Sequence, residues 1–218
     1  MSAYFVTSTG TGVGKTFTTC ALLHAAASKG QKAQGFKPVI SGWDDADAMS
    51  DTAQIIHAGS AGQTVEDISP WRFAAPLSPH RAAALEHKTV DVEALVAWSR
   101  AQLGQPGLTL FEGVGGVMVP LTDHSTTLDW MTALQLPVIL VTGSYLGTIS
   151  HTLTALDALR TRKLHVAALV MSETHGSSVT LEESMAGLTP FIADTPLRLT
   201  QPLVPSWREA TAIHTLEV

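Results

Sequence analysis

Residues 6–16, with the sequence VTSTGTGVGKT, carry the clearest chemical signal of this chain. A short apolar run of strand type precedes the glycines, and a segment rich in Ala and Leu follows and stops at Gly30. A glycine-rich turn between a strand and a helix directs backbone N–H groups at an anion, and the helix N-terminus adds partial positive charge. In such a loop Lys15 reaches the outer phosphates of a nucleotide, and the Thr16 hydroxyl can ligate Mg²⁺. The segment therefore predicts a phosphate-binding loop.

This loop departs from the strict pattern at one position. The pattern has a glycine five residues before Gly14, where this chain has Thr9, and Gly10 and Gly12 provide the flexibility instead. The alternative interpretation is an ordinary glycine-rich connection between a strand and a helix. A Gly-Lys-Thr sequence at the beginning of a helix favours phosphate binding.

Two carboxylates are candidates to complete a Mg²⁺ site, because this ion is usually held by one or two carboxylates together with phosphate oxygens. Glu112 ends an apolar strand and is followed by three glycines in four residues, which favours a ligand over an acid that caps N–H groups at a loop edge. Asp51 lies in a Ser-Asp-Thr sequence that is equally typical of a plain helix start. Spacing alone leaves both interpretations of Asp51 open.

Lys37 follows Phe36 at a predicted strand end, either as a surface charge or as a second lysine beside a transferring phosphoryl group. His80 and His151 are candidate general bases, although packed or capping histidines are the more common occurrence. The sequence has no His and Cys set with zinc spacing and no Gly-x-Ser-x-Gly nucleophile elbow. It therefore favours phosphate chemistry over these other classes.

The elements that must position these residues alternate between strand and helix patterns. Residues 90–103 have a helical pattern with Asp91 as a candidate N-cap. Segments that predict strands lie at residues 34–39, 108–111, 138–141 and 166–171. This alternation predicts an α/β fold with a doubly wound, mostly parallel sheet flanked by helices. In such folds ligands bind at the carboxyl ends of the strands, where Lys15, Lys37 and Glu112 all fall.

The remaining segments are predicted to be loops. Residues 42–50 form a polar loop whose three aspartates are more typical of a solvated surface than of a metal site. Residues 59–79 are expected to make a long excursion over the site. The last thirty residues contain four prolines and are expected to be mostly loop.

Composition limits the functional classes. The chain has 218 residues, of which 45% are hydrophobic, and this predicts a single domain over residues 1–218. A net charge of −6 without any cluster of Lys and Arg argues against nonspecific nucleic-acid binding. The longest apolar run is too short for a membrane span, and the chain begins with a strand pattern rather than a signal segment. With Cys20 as the only cysteine, we expect a cytoplasmic protein without an intramolecular disulfide.

Several further segments resemble one known family. They follow the phosphate loop as FKPVISG at residues 36–42, FAAPLSPH at 73–80, EGVGG at 112–116, PVILVTG at 137–143 and LGTISH at 146–151. Over nearly its whole length the chain resembles the dethiobiotin synthetases, and with them the P-loop NTPase type of fold. The Lys-Pro-Val-x-Ser-Gly and Ser-Pro-His segments are the most specific, because generic phosphate-loop proteins lack them.

The resemblance implies an ATP- and Mg²⁺-dependent ligase of biotin biosynthesis. In this family an amine of 7,8-diaminononanoate takes up CO₂ as a carbamate, which attacks the γ-phosphate of ATP. The second amine then closes the mixed carbamic–phosphoric anhydride, expels phosphate and leaves the ureido ring of dethiobiotin. Because carbamate and triphosphate are both anions, their approach requires cations.

The resemblance also implies roles for individual residues. Lys15 and Lys37 would stabilise carbamate and phosphoryl oxygens as catalytic groups. The implied Mg²⁺ ligands are Thr16, Asp51 and Glu112. The implied nucleotide contacts are Thr11, Gly12, Val13, Gly14, Lys15, Thr16, Phe17, Asp51, Glu112, Gly113, Val114, Gly115, Ser172, Glu173, Pro196, Leu197 and Arg198. The implied substrate contacts are Lys37, Ser41, Gly147, Thr148, Ile149 and Ser150.

The family forms homodimers in which the carboxylate tail of the substrate reaches the partner subunit, so we expect a homodimer with no nucleic-acid or membrane partner. Residues 146–151 open a predicted helix whose N-terminus suits a carboxylate. The chain differs from the family pattern at Ser8, Gly12, Ser150 and Ser172. Ser172 replaces the asparagine that reads adenine, so we expect a weaker preference for ATP over other nucleotides.

Two other functions stay open at this stage. A regulatory ATPase of the partitioning or site-selection type shares the fold class. It would have a lysine near the start of its loop, which residues 8–11 lack, and often a C-terminal amphipathic helix, for which residues 213–218 are too short. An inert homologue that only binds nucleotide is the second alternative. The joint presence of Lys15, Thr16, Lys37 and Glu112 argues against it.

Overall fold

The computed structural model describes residues 2–214. Met1 and residues 215–218 lie outside the described part, and with them most of the segment 213–218 that the sequence predicted to be too short for an amphipathic helix. The strands are β1 (Ser2–Ser8), β2 (Ala33–Phe36), β3 (Val39–Ser41), β4 (Trp71–Phe73), β5 (Leu108–Glu112), β6 (Val138–Gly143), β7 (Val166–Ser172) and β8 (Leu197–Gln201). The helices are α1 (Lys15–Ser28), α2 (Asp51–Ala58), α3 (Val65–Ile68), α4 (Pro79–Leu85), α5 (Val92–Ala101), α6 (Thr127–Leu134), α7 (Thr148–Thr161), α8 (Leu181–Leu188) and α9 (Thr211–His214).

Six of the described strands form one parallel sheet in the order β2-β5-β1-β6-β7-β8. The direction of winding reverses beside β1, because the chain passes from β1 to β2 on one side and from β5 to β6 on the other. Side chains alternate between two cores, with Phe5 and Phe111 on one face and Val6 and Leu110 on the other. The doubly wound parallel sheet predicted from the sequence is confirmed.

Helices cover both faces of this sheet. The core around Val6 receives buried side chains from α1, α2, α3 and α9, whereas the core around Phe5 receives them from α4 to α8. On that second face Trp130 is fully buried and meets Phe5 edge to face at 4.6 Å between ring centroids. Its indole N–H donates to the Ser99 hydroxyl at 3.1 Å, which satisfies the polar end of this buried ring.

The predicted elements form close to their expected bounds. The Asp91 carboxylate accepts from the Ala94 N–H at 2.9 Å and caps α5, which confirms the helix predicted within residues 90–103. The strand segments become β2, β5, β6 and β7, whose middle residues are buried. Lys37 follows directly after β2, and Glu112 is the last residue of β5.

Two segments predicted as loops contain regular structure. Residues 59–79 include α3 and β4, and β4 pairs in parallel with β3 as a separate two-stranded sheet. Near the chain end, β8 adds a strand to the main sheet beside β7. Pro196 and Pro202 lie just before and just after β8. Because neither is part of the strand, the missing proline N–H removes no hydrogen bond between β7 and β8. Among residues 2–214, no helix has both the length and the apolar character to cross a membrane.

Shortening a buried side chain in the middle of the sheet tests this core. Leu110 is fully buried in β5, and Leu110→Ala should lower the free energy of unfolding by about 2–5 kcal/mol because a cavity replaces its methyl groups. Urea denaturation measures the change. The matched control is Leu85→Ala, whose side chain is 59% exposed and whose removal should cost less than about 0.5 kcal/mol. Equal losses from both variants would contradict the position assigned to Leu110.

Candidate active site

The phosphate loop connects β1 to α1 through residues that need left-handed backbone. Gly12 has φ +75° and Gly14 has φ +91°, a region that glycine enters without strain. Gly14 is the N-cap of α1, so the first backbone N–H groups of the helix are free of intrahelical partners. A Cβ at Gly14 would also lie 2.7 Å from the Ser172 Oγ. The loop can therefore offer several N–H groups to one anion.

Hydroxyl groups stabilise the loop where its sequence departs from the pattern. The buried Ser8 hydroxyl lies 2.7 Å from the Gly10 carbonyl oxygen and 2.9 Å from that of Gly115, and its proton can bond either one. Thr9 Oγ1 lies 3.2 Å from Thr142 Oγ1, and Thr9 is not among the residues with positive φ. The position that the strict pattern reserves for glycine is thus occupied by threonine without backbone strain.

A buried cluster of charges lies beneath the loop. Glu112 is fully buried, and its Oε1 accepts from the Thr16 hydroxyl at 2.7 Å and from Lys37 Nζ at 2.9 Å. Lys15 Nζ lies 3.8 Å from the same oxygen, and Lys37 also forms an ion pair with Asp51. The second oxygen of Glu112, Oε2, is buried without a hydrogen-bond partner. The structure thus brings together the five residues that sequence analysis assigned to catalysis and metal binding.

Strand register explains why these side chains meet. Val6 of β1 pairs with Glu112 of β5, and Phe36 of β2 pairs with Phe111, so Lys37 emerges beside Glu112 at the carboxyl edge. Asp51 arrives separately as the first residue of α2. Its Ser50 neighbour caps that helix, so the Ser-Asp-Thr sequence is a helix start and also supplies a carboxylate to Lys37.

Burial and neighbouring charges set the protonation of the cluster. Burial lowers the pKa of Lys15, and the positive charge of Lys37 lowers it further, more than Glu112 raises it. Burial also opposes charge on Lys37, but Glu112 and Asp51 outweigh this effect and raise the pKa of Lys37. Burial acts to raise the pKa of Asp51, yet Lys37 and Lys15 hold it below its ordinary value. Lys37 is therefore firmly charged, whereas Lys15 loses its proton more readily.

The oxygen atoms of this cluster fit a Mg²⁺ ion. The unpartnered Glu112 Oε2, the Thr16 hydroxyl and the Asp51 carboxylate are hard oxygen donors at the edge of the phosphate loop. Within residues 2–214 no group of three or more His, Cys, Asp or Glu side chains could hold a metal. Such a site would depend on phosphate oxygens as further ligands, which is the usual way proteins bind Mg²⁺.

A cleft of about 670 Å³ opens above the cluster. Its lining includes the sequence-predicted residues Thr11, Gly12, Gly14, Lys15, Thr16, Phe17, Lys37, Ser41, Asp51, Val114 and Gly115. It also includes residues without a predicted contact, namely Ile40, Pro76, Leu77, Ser78, Pro79 and Val119. Four of them, residues 76–79, belong to the FAAPLSPH segment, which is the sequence feature that could have identified them. Gly113 does not line the cleft, since it is buried against Phe5 and Thr127.

A second cavity of about 270 Å³ adjoins the phosphate loop. It is lined by Gly12, Val13, Gly14, Phe17, Ser172, Glu173, Thr174, His175, Gln201, Pro202, Leu203 and Val204. The predicted contacts Pro196, Leu197 and Arg198 are absent from it. They lie at the amino end of β8, because β8 runs parallel to β7 and pairs Leu197 with Ala168. Residues 201–204, at the other end of the same strand, line the cavity instead.

The segment predicted to bind the substrate tail does not line the 670 Å³ cleft of its own chain. Gly147, with φ +100°, precedes α7, and the buried Thr148 hydroxyl donates to the Gly143 carbonyl oxygen. Ile149 packs against Gly187. Ser150 presents an exposed side chain, whereas the Thr148 side chain is buried and Ile149 is half-buried.

Neither candidate histidine lies at this cleft. His151 Nδ1 bonds the Tyr145 hydroxyl at 2.9 Å, and His80 lines a separate pocket with Lys88 and Asp123. The geometry therefore does not support a general-base role for either, and the packing or capping interpretation fits better.

Removing the charge at the centre of the cluster should destabilise the fold in a pH-dependent way. Glu112→Gln leaves two buried lysines short of a counterion, and we expect a loss of about 3–5 kcal/mol at about pH 7. In the wild type, Lys37 stays charged and ion-paired at every pH below its raised pKa. In the variant the attraction of Glu112 is lost, so the pKa of Lys15, which is already lowered, falls further. Raising the pH to about 9.5 shifts Lys15 toward its neutral form and should narrow the difference in the free energy of unfolding between the two proteins.

Denaturation of both proteins at the two pH values measures this effect. Glu182→Gln, which changes an exposed acid on α8, is the control and should cost less than about 0.5 kcal/mol at either pH. A difference between wild type and Glu112→Gln that grows with pH would contradict the assigned electrostatics.

Comparison with solved structures supports the fold type. The septum site-determining protein MinD, complexed with Mg-ADP, from Pyrococcus horikoshii OT3 matches with a TM-score of 0.58 and 15% identity, covering 100% of this chain and 90% of that chain. The MinC:MinD cell division protein complex of Aquifex aeolicus gives a TM-score of 0.58 and 12% identity, covering 98% and 93%. At these identities the likeness concerns the fold alone, which is of the P-loop NTPase type.

Comparison of sequences identifies the family. A family model described as an AAA domain matches residues 2–200. The ATP-dependent dethiobiotin synthetase BioD of Caulobacter sp. (strain K31) is 49% identical over 210 residues, covering 95% of this chain and 90% of that protein. The protein of the same name from Phenylobacterium zucineum (strain HLK1) is 46% identical and covers 88% of each chain. This chain therefore belongs to the ATP-dependent dethiobiotin synthetase family.

Proposed function

We propose that this protein is an ATP-dependent dethiobiotin synthetase of biotin biosynthesis, which forms the ureido ring from 7,8-diaminononanoate and CO₂. The observation that carries this proposal is the buried Glu112 with Lys15, Thr16 and Lys37 around it, beneath a cleft that begins at the phosphate loop. The names of the relatives support the same activity. Phosphate loops occur in proteins with many different activities. The second buried lysine, Lys37, suits a phosphoryl acceptor that is itself an anion.

The phosphate loop and Lys15 hold the triphosphate of ATP. Backbone N–H groups at the beginning of α1 bond the phosphate oxygens, and the positive end of the helix dipole faces them. An arriving polyanion raises the pKa of Lys15, which is low in the free site, and so favours its charged form. Thr16, Asp51 and Glu112 would hold Mg²⁺, which when bound offsets negative charge on the phosphate oxygens.

Lys37 holds the carbamate against the triphosphate. Its pKa is raised, so it carries a positive charge throughout the neutral range, and it lines the cleft together with Ser41. Two anions repel each other at contact distance unless cations lie between them. With the charge of Lys37 in place, a carbamate oxygen attacks the γ-phosphorus and ADP leaves. The second amine then attacks the carbamoyl carbon, phosphate leaves, and the amine proton passes to solvent.

We propose a homodimer for the binding of the substrate tail. Gly147, Thr148, Ile149 and Ser150 do not line the cleft of their own chain, which suits a contact with the substrate of a second subunit. The backbone N–H groups at the beginning of α7 and the exposed Ser150 side chain suit a carboxylate.

A reconstituted reaction tests the proposed activity. With diaminononanoate, bicarbonate, Mg²⁺ and ATP, the protein should release phosphate and form dethiobiotin in equal amounts, and omission of the diamine should abolish both. Phosphate release is measured by a coupled assay and dethiobiotin by mass spectrometry. Phosphate release that is independent of the diamine would favour a regulatory ATPase and contradict the proposal.

Replacement of Lys37 separates catalysis from nucleotide binding. We expect Lys37→Ala to lower turnover by about 10²–10³-fold, because charge on the transferring group loses its counterion, while the Kd for ATP changes only a few-fold. Lys29→Ala, an exposed lysine after α1, is the control and should leave both values unchanged. Unchanged turnover in Lys37→Ala would remove Lys37 from the mechanism.

A further inference from the structure

The outer edge of β2 is closed by hydrogen bonds from a loop instead of by another strand. β2 is the terminal strand of the main sheet, so alternate residues turn their N–H and C=O groups away from β5. Ser60 bonds both groups of Ala33, since its Oγ accepts from the Ala33 N–H and its own N–H donates to the Ala33 carbonyl oxygen, each at 2.9 Å. The Gln63 amide does the same for Gly35 at 3.1 Å. The edge is therefore satisfied residue by residue toward the site.

The next outward residue along this edge is Lys37. Its N–H donates to the Ile68 carbonyl oxygen at 3.1 Å, and its carbonyl oxygen accepts from the Ser69 hydroxyl at 2.8 Å. Lys37 is 4% exposed and Ser69 is fully buried, so these polar groups need protein partners. Pro38 follows Lys37 and restricts its backbone to extended conformations. Ser69 therefore fixes the backbone of a residue that has little conformational freedom of its own.

The Ser69 hydroxyl has a second partner, the Thr52 hydroxyl, and the direction of this bond follows from the first one. The two oxygens are 2.7 Å apart, and both residues are fully buried. Ser69 has one hydroxyl proton, which goes to the Lys37 carbonyl oxygen because that oxygen only accepts. Thr52 must therefore donate to Ser69. The result is a directed chain from the Thr52 hydroxyl through the Ser69 hydroxyl to the backbone of Lys37.

This chain of hydroxyls joins two separate elements that carry charged groups of the site. Thr52 follows Asp51 in the first turn of α2, whereas Lys37 follows β2. The Lys37 ammonium pairs with the carboxylates of both Asp51 and Glu112. The pairing of β2 with β5 sets its place relative to Glu112, but it does not set the distance to α2. The bonds through Ser69 and Thr52 connect Lys37 to α2 beside Asp51.

We propose that Ser69 and Thr52 are positioning residues, which hold the backbone of Lys37 so that its ammonium meets the phosphoryl acceptor. This inference rests on the role of Lys37 in the proposed function. Neither Ser69 nor Thr52 lines the 670 Å³ cleft, so both act through Lys37 rather than through contact with a substrate. A displacement of about 1 Å in a catalytic constellation can lower a rate by about a hundredfold, so even a smaller shift of the ammonium is measurable.

Ser99 provides a matched control with the same pattern of bonds away from the site. It is fully buried in α5, and its hydroxyl donates to the Leu95 carbonyl oxygen at 2.7 Å and accepts from the Trp130 indole at 3.1 Å. Ser69→Ala and Ser99→Ala each remove one buried hydroxyl that makes two such bonds. Both variants should unfold at lower urea concentration than the wild type, whereas only Ser69→Ala should lose turnover.

Turnover and ATP binding of single and double variants test the inference, measured where urea denaturation shows each protein to be folded. Ser69→Ala should lower kcat for diamine-dependent phosphate release by about tenfold and leave the Kd for ATP within about twofold. Added to Lys37→Ala, the same change should alter kcat by less than about twofold, because the group that Ser69 positions is absent. Thr52→Val, which has the same shape without the hydroxyl, should lower kcat by about threefold, and Thr52→Ser should preserve it.

The outcomes separate this inference from the proposed reaction. An equal factor of loss from Ser69→Ala with and without Lys37 would show a structural role alone and overturn the inference. Equal kcat values of Thr52→Val and Thr52→Ser would also overturn it, and this comparison needs no Lys37 variant. If the wild type forms no dethiobiotin, the proposed reaction fails, and the urea midpoints decide the inference. Ser69→Ala should then shift the midpoint less in Lys37→Ala than in the wild type, and equal shifts would overturn the inference.

Discussion

The burial of one carboxylate constrains the rest of this site. Glu112 has no exposed surface, and a charge removed from water in this way is tolerated only beside compensating charges and hydrogen bonds. Lys15, Thr16 and Lys37 supply them, and each must arrive at the same edge of the sheet. The parallel register of β1, β2 and β5 is what makes that arrival possible.

The same interaction prepares the site for anions. Glu112 holds two lysines in a buried position where, without ligands, their charges would repel. When phosphate and carbamate arrive, these lysines are already positioned, so little reorganisation is needed during the reaction. The Ser8 hydroxyl lies within hydrogen-bond distance of the Gly10 and Gly115 carbonyl oxygens and so connects the two glycine-rich loops. The backbone on both sides of the cluster is thereby held together.

The sequence predicted the parts of this site that depend on local pattern. Lys15, Lys37 and Glu112 follow buried strands, and parallel strands bring their carboxyl ends to one edge, so their proximity could be expected. Asp51 could not be decided in this way, since its place depends on how α2 packs against the sheet.

The sequence-based predictions are wrong where the local residue pattern does not show the position of a segment in the fold. The prolines near the chain end predicted a loop where the structure has β8. This strand lies at the edge of the sheet, where neighbouring prolines are tolerated that a central strand would exclude. The resemblance implies nucleotide contacts at Pro196, Leu197 and Arg198, which lie at the amino end of β8, whereas the residues that line the 270 Å³ cavity lie at its carboxyl end. Gln201 was missed for the same reason. Its Oε1 is buried without a partner beside the 270 Å³ cavity, and the sequence does not show which atoms have partners.

The central claim is that the phosphoryl group passes from ATP to a carbamate rather than to water. Supplying bicarbonate labelled with ¹⁸O and analysing the released phosphate by ³¹P nuclear magnetic resonance tests this most directly. The carbamate oxygen that attacks the γ-phosphorus stays on phosphate when the ring closes, so early turnovers should yield phosphate with one ¹⁸O atom and dethiobiotin with a labelled carbonyl. Unlabelled phosphate would show that water is the acceptor and would contradict this account.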